Sequence, residues 1–118
     1  MADRQFGTAQ TEQLGASLWL LKLVGEHDLA SRAAVEDAFA RIEATGTTVV
    51  IDLLETTFID STLIGRIAAA HERGENLLLI VPKGGVVRRV LDLVGLRIPT
   101  FETRAEALRA VPNQDQPQ

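Results

Sequence analysis

Strand-like apolar runs alternate with amphipathic helical stretches along these 118 residues. The alternation predicts an α/β fold, a mixed sheet of four to five strands packed with about four α-helices in a single domain. Three observations carry that expectation. Ser17–Val24 (SLWLLKLV), Thr47–Leu54 and Asn76–Val81 (NLLLIV) are short, nearly continuous apolar runs, which is how strands covered on both faces read. The later runs are separated by stretches long enough for a helix, so right-handed parallel crossovers are the natural connection. The first two strands are joined too closely for a helical crossover, and the sheet is therefore expected to be mixed.

In chain order, residues 1–16 are polar and weakly patterned and give at most a short edge strand before Gly15. The run from Ser17 ends at Gly25, where GEHD is expected to turn the chain. Ser31 offers an N-cap to a helix whose Val35, Ala38, Phe39 and Ile42 fall at i, i+3, i+4 and i+7 before Gly46. Thr47–Leu54 is rich in β-branched residues, as a central strand requires, and is expected to end at Glu55. The next helix places Ile64, Ile67, Ala68 and His71 on one face and stops at Gly74. Asn76–Val81 closes at Pro82, and Val86–Val94 is a third helix with Val86, Val87, Val90, Leu91 and Val94 on one face and Gly95 as its breaker. Ile98–Phe101 can form a last strand, and Thr103 with Glu106 has the spacing of a capping box ahead of a short helix to Val111. The domain is thus expected to span 1–111, with the polar, proline-bearing 112–118 as a disordered tail.

Composition narrows the function. Sixteen acidic residues against twelve Lys and Arg, with no basic stripe interleaved with aromatics, argue against nucleic acid as a partner. Cysteine is absent, which excludes disulfides, thiolate zinc sites and thiol catalysis and suits a reducing compartment. The longest apolar stretch, Leu77–Val81, is far short of a membrane span, and MADRQFGTAQ lacks a signal-peptide core. A soluble, cytoplasmic protein without a membrane partner is expected. Catalysis finds no footing either. Neither His27 nor His71 has an orienting context for a Ser–His–Asp triad, G-x-S-x-G is missing, and His71 is about 15 Å along its helix from Ser61. Lys83, Gly84 and Gly85 lack phosphate-loop spacing, and Arg88 and Arg89 fall off the apolar stripe as a solvated face. No catalytic residue, metal site or cofactor is assigned, and the chain is expected not to be an enzyme.

The octapeptide FIDSTLIG, Phe58–Gly65, marks a strand-to-helix corner. Asp60 or Ser61 can cap the orphan N–H groups there, and negative charge at that end gains roughly 0.3–1 kcal/mol from the helix dipole. Capping alone accounts for the residues. A second reading makes Ser61 a switch. Phosphate on Ser61 adds about −1.5 to −2 charge at a helix start able to hold it, beside an Asp60 that repels it, so the fold survives while the surface changes sign. Asp28 of GEHD sits on the same sheet edge if the two strands are parallel neighbours, either as a turn residue or as a carboxylate shaping that surface.

Taken together, LVGEHD, VVIDLLETTFIDSTLIG and VVRRVLDLVGL resemble three motifs of the STAS domain family, the sulfate transporter and anti-sigma factor antagonist fold. They match its strand-ending G-E-x-D, its D-S-[ST]-G-x-G helix start and its V-x-R-x-L-x-x-x-G-L helix, in order and over almost the whole chain. The resemblance is closest to the bacterial stand-alone anti-sigma factor antagonists. It implies a STAS fold and Ser61 as a phosphoacceptor for an anti-sigma factor that is also a serine kinase of the histidine-kinase-like ATPase class. The unphosphorylated form would bind that partner and free a sigma factor, and a metal-dependent serine phosphatase would restore it. Asp28 and Asp60 match the flanking acidic residues, and Thr62 the small hydroxyl position. Leu63 replaces the usual glycine, which adds apolar bulk beside the acceptor and leaves a second reading, a constitutive STAS subunit of a stressosome-like or transporter-associated complex.

Overall fold

A computed structural model of the chain describes residues 7–27, 31–43 and 48–112. Its elements are β1 (Thr8–Gly15), β2 (Leu18–His27), α1 (Arg32–Glu43), β3 (Thr48–Ile59), α2 (Ser61–Glu72), β4 (Asn76–Ile80), α3 (Gly85–Val94), β5 (Thr100–Phe101) and α4 (Arg104–Arg109). They form one five-stranded sheet of order β1-β2-β3-β4-β5. β1 runs antiparallel to β2, and every later pair is parallel, so the sheet is mixed for the reason the short first connection implies.

Strand alternation divides the core between the two faces of the sheet. Leu21, Leu23, Val49, Ile51, Leu53, Leu77 and Leu79 point to one face, where α1, α2 and α3 cover them. Leu18, Leu20, Val50, Leu78 and Ile80 point to the other, closed by Ala107 of α4 and by Val111. The second layer is anchored by a buried charge. Asp52 on β3, 4% exposed, accepts from the Leu54 N–H through Oδ1 and from Arg104 of α4 at 3.3 Å through Oδ2.

Several elements depart from the sequence expectation. β2 does not turn at Gly25. Gly25 takes φ +88°, and the register slips between Gly25 and Glu26, but pairing with β3 continues to His27 opposite Ile59. The extra residue is Thr57 on β3, and Gly25 lies in β2 beside that bulge without ending the strand. β3 likewise runs past Glu55 to Ile59. On α2 the buried stripe is Leu63, Ile67 and Ala70, with His71 left half-buried, while α1 buries the four residues its period predicts. α3 buries Val87 and Leu91 but leaves Val86 and Val94 exposed, and the last strand is shortened to Thr100–Phe101. The tail from residue 113 lies outside the described residues.

Candidate functional site

β3 delivers the site, and its two halves differ. Thr48–Leu53 are all buried, whereas among the next six only Thr56 and Ile59 are. The change has a structural cause: β4 pairs no further than Ile80 opposite Asp52, so beyond that point β2 alone holds β3. Thr56 strengthens that pairing with a 2.7 Å hydrogen bond from its hydroxyl to the Leu23 carbonyl. The strand therefore emerges from the core and ends at a surface corner.

Asp60 forms that corner. Its backbone is extended (φ −104°, ψ 179°), its Oδ1 accepts from the Leu63 N–H at 3.1 Å, and its own N–H donates to the His27 carbonyl at 3.1 Å. Of the two capping candidates it is Asp60 that caps α2. Ser61 and Thr62 follow as the first two helical residues and are exposed, with the first-turn N–H dipoles beneath them. Leu63, grouped by sequence with the partner surface, is only 3% exposed and belongs to the core with Val35 and Phe39. Its bulk faces inward because the third helical residue lies beneath the corner, toward α1. Asp28 lies outside the described residues. The parallel pairing of β2 with β3 nonetheless brings His27, the residue before it, beside Ile59 and Asp60.

Three neighbours are not assigned to the site by sequence, which reads His27 as lacking an orienting context and Ser31 as a helix cap. His27, 1% exposed, has Nδ1 3.1 Å from the Ser31 hydroxyl and Nε2 3.1 Å from the Val24 carbonyl. Ser31 is buried at the entry to α1. Arg66 braces α2 against α1: it reaches Glu36 at 3.3 Å and Glu43 at 2.8 Å and lies 4.5 Å over the Phe39 ring. Arg73 also pairs with Glu43 and, at 2.8 Å, with Glu75. The one available signal for Arg66 was its position four residues after Thr62, on the same helical face.

A cavity of about 10 Å³ beneath the corner is bounded by His27, Ser31, Asp60, Thr62, Leu63 and Arg66 among others, with room for one water at most. The corner is thus a surface and not a ligand pocket. A wider cleft of about 350 Å³ at the ends of β4 and β5 includes Lys83, Gly84 and Arg88, but Arg88 is tied to Thr100 at 2.9 Å. Gly84 simply caps α3 at φ +78°. Among the described residues no cluster of His, Asp or Glu suited to a metal occurs, and no helix is long and apolar enough to cross a membrane.

A sheet with one antiparallel edge, three helices on one face and an exposed hydroxyl pair at the β3–α2 corner is the architecture of the STAS domain, and the STAS family model matches residues 9–107. This chain belongs to the STAS domain family. It is 35% identical over 97 residues, 78% of this chain and 80% of the relative, to the anti-sigma-F factor antagonist RsfB of Mycobacterium tuberculosis. An anti-sigma factor antagonist from Mycobacterium paratuberculosis superimposes with a TM-score of 0.79 at 27% identity, over 93% of this chain and 97% of that one. The phosphorylated form of SpoIIAA, a Bacillus cell fate determinant, shares the fold with a TM-score of 0.65 at 24% identity, over 89% and 100% of the two chains.

Proposed function

We propose that this protein is an anti-sigma factor antagonist whose unphosphorylated form binds an anti-sigma factor, and that phosphorylation of Ser61 switches the binding off. The observation that carries the reading is the division of labour at the corner. Asp60 alone performs the cap, so the adjacent Ser61 hydroxyl is exposed and free of a structural duty. The 35% identity to RsfB supports the same class of partner.

In this reading the partner is also the kinase, of the histidine-kinase-like ATPase class. The Ser61 Oγ attacks the γ-phosphorus of ATP, an O–P bond forms, the bond to the β-phosphate oxygen breaks, ADP leaves, and the hydroxyl proton passes to a base of the kinase. The product sets about −1.5 to −2 charge one residue after Asp60. The helix start accommodates it, so the fold persists, while the docked surface acquires hydrated charge it cannot pair. Asp28, Asp60 and Thr62 shape that surface. A serine phosphatase restores the hydroxyl by hydrolysis, water breaking the O–P bond and inorganic phosphate leaving, and the cycle runs in the cytoplasm with this protein as substrate rather than catalyst. Leu63 does not weigh against the reading, since a side chain 3% exposed adds little bulk to a docking face.

Incubation with the cognate kinase and ATP, read by intact mass, tests the assignment. One phosphate is expected on the wild type and none on Ser61→Ala. A phosphate retained by the alanine variant, or a Ser61→Asp variant that binds the partner as tightly as wild type, would return the protein to the constitutive-subunit reading.

A further inference from the structure

We propose that His27 is a positioning residue for the acceptor corner. The inference rests on the switch reading for its functional consequence and on geometry for its mechanism. His27 ends β2 and is 1% exposed, and it touches the corner through its backbone and the α1 entry through its ring. The backbone carbonyl accepts the Asp60 N–H at 3.1 Å, which fixes the residue that caps α2 and precedes Ser61. The ring reaches the Val24 carbonyl through Nε2 and the Ser31 hydroxyl through Nδ1, each at 3.1 Å.

Those partners fix one ring hydrogen. A carbonyl oxygen only accepts, so Nε2 carries a hydrogen and donates it to Val24, while Nδ1 lies within hydrogen-bond distance of the Ser31 hydroxyl. The imidazole therefore ties β2 to the start of α1 through a hydrogen bond at each ring nitrogen. Gly7 closes the third side: a Cβ there would lie 2.8 Å from the ring Cε1 and 2.5 Å from the Glu26 carbonyl oxygen. The ring is hemmed in on these three sides, and it also borders the small space of about 10 Å³ lined by Asp60 and Thr62. Movement of the ring is thus passed to its own carbonyl and from there to Asp60 and the Ser61 hydroxyl. An apolar side chain fills the space but makes neither ring hydrogen bond.

Site-resolved amide hydrogen exchange on the full chain, comparing wild type with His27→Leu and His27→Gln, tests the mechanism. Asp60 N–H, held by the His27 carbonyl, and Leu63 N–H, held by the Asp60 cap, are expected to lose at least tenfold protection in His27→Leu, while Val50 and Ile51 deep in β3 keep theirs. His27→Gln, which retains a donor and an acceptor, is expected to recover most of it. A merely structural role lowers protection everywhere together, and that result, or unchanged corner amides, overturns the proposal. The functional arm is phosphorylation kinetics with the cognate kinase. For His27→Leu the expectation is a kcat at least roughly tenfold lower with KM for this protein within about twofold, because a displaced acceptor loses rate more than affinity. Wild-type kcat in a folded His27→Leu protein overturns the proposal even if Ser61→Ala abolishes labelling. If wild-type protein itself takes up no phosphate on Ser61, the switch reading fails, and the exchange data alone decide for or against His27. Should His27→Leu not fold, Ser31→Ala removes the Nδ1 bond from its other end and is expected to show the same corner-selective loss.

Discussion

The helix starts of α2 and α4 use the same cap in two ways. At α4, Thr103 accepts from the Glu106 N–H at 3.1 Å, and its hydroxyl meets the Glu106 carboxylate at 3.1 Å, so the capping residue and the third helical residue close on each other. At α2, Asp60 accepts from the Leu63 N–H at the same distance, but the third helical residue is sunk in the core. The first helical position differs as well. Arg104 reaches back to the buried Asp52, whereas Ser61 faces solvent. α4 engages its first turn in holding the helix to the sheet. α2 relies on Asp60 and Leu63 and leaves Ser61 and Thr62 exposed. A cap signature in the sequence is therefore neither evidence for a site nor evidence against one; what matters is which positions of the first turn the fold leaves unengaged.

The sharpest way to break that comparison is at the third helical position. Leu63→Ala empties a core site and is expected to cost about 2–5 kcal/mol in denaturant unfolding, while Glu106→Ala at the matching place in α4 should cost about 1 kcal/mol or less. Equal losses would mean that Leu63 is not the anchor of α2. Next come the caps themselves. Asp60→Ala and Thr103→Ala should each lose about 0.5–2 kcal/mol, yet only the first should change partner binding or phosphate uptake, measured on the same preparations. Arg66→Met follows, with an expected loss of about 1 kcal/mol from two partly exposed ion pairs and a ring contact, and a salt dependence of stability that weakens relative to wild type. The smallest change in stability belongs to Ser61→Ala, expected within about 0.5 kcal/mol of wild type by thermal or urea unfolding. A large loss there would assign the hydroxyl a structural duty and erase the contrast with α4.

Much of this molecule could be read in advance where burial is two-sided. VVIDLL reads as a central strand because both faces of the sheet are covered over Thr48–Leu53. ETTFI, the continuation, reads as the end of the strand, because one edge and part of a face are open there and the residues become mixed in polarity. GEH reads as a turn for a related reason: a glycine with positive φ serves a turn and an irregularly paired strand alike, and only pairing with β3 tells them apart. On α2 the period of the apolar residues was visible but its phase was not. Ile64 and Ile67 suggested one face, and the cap at Asp60 together with the approach of α1 turned the helix so that Leu63, Ile67 and Ala70 are inside.

The candidate site divides along the same line. The chain alone determined that a carboxylate and two hydroxyls stand at a strand-to-helix corner, since local chemistry and apolar periodicity are written residue by residue. Which of Asp60 and Ser61 caps the helix, whether Leu63 faces partner or core, and that His27 joins β2, α1 and Asp60 were decided only by the tertiary structure. Those outcomes depend on contacts between segments distant in sequence, such as the Asp60 N–H on the His27 carbonyl and the braces from Arg66 to Glu36 and Glu43. A one-dimensional pattern carries the period of each element but not the angle at which neighbouring elements meet, and that angle is set by packing the whole core at once.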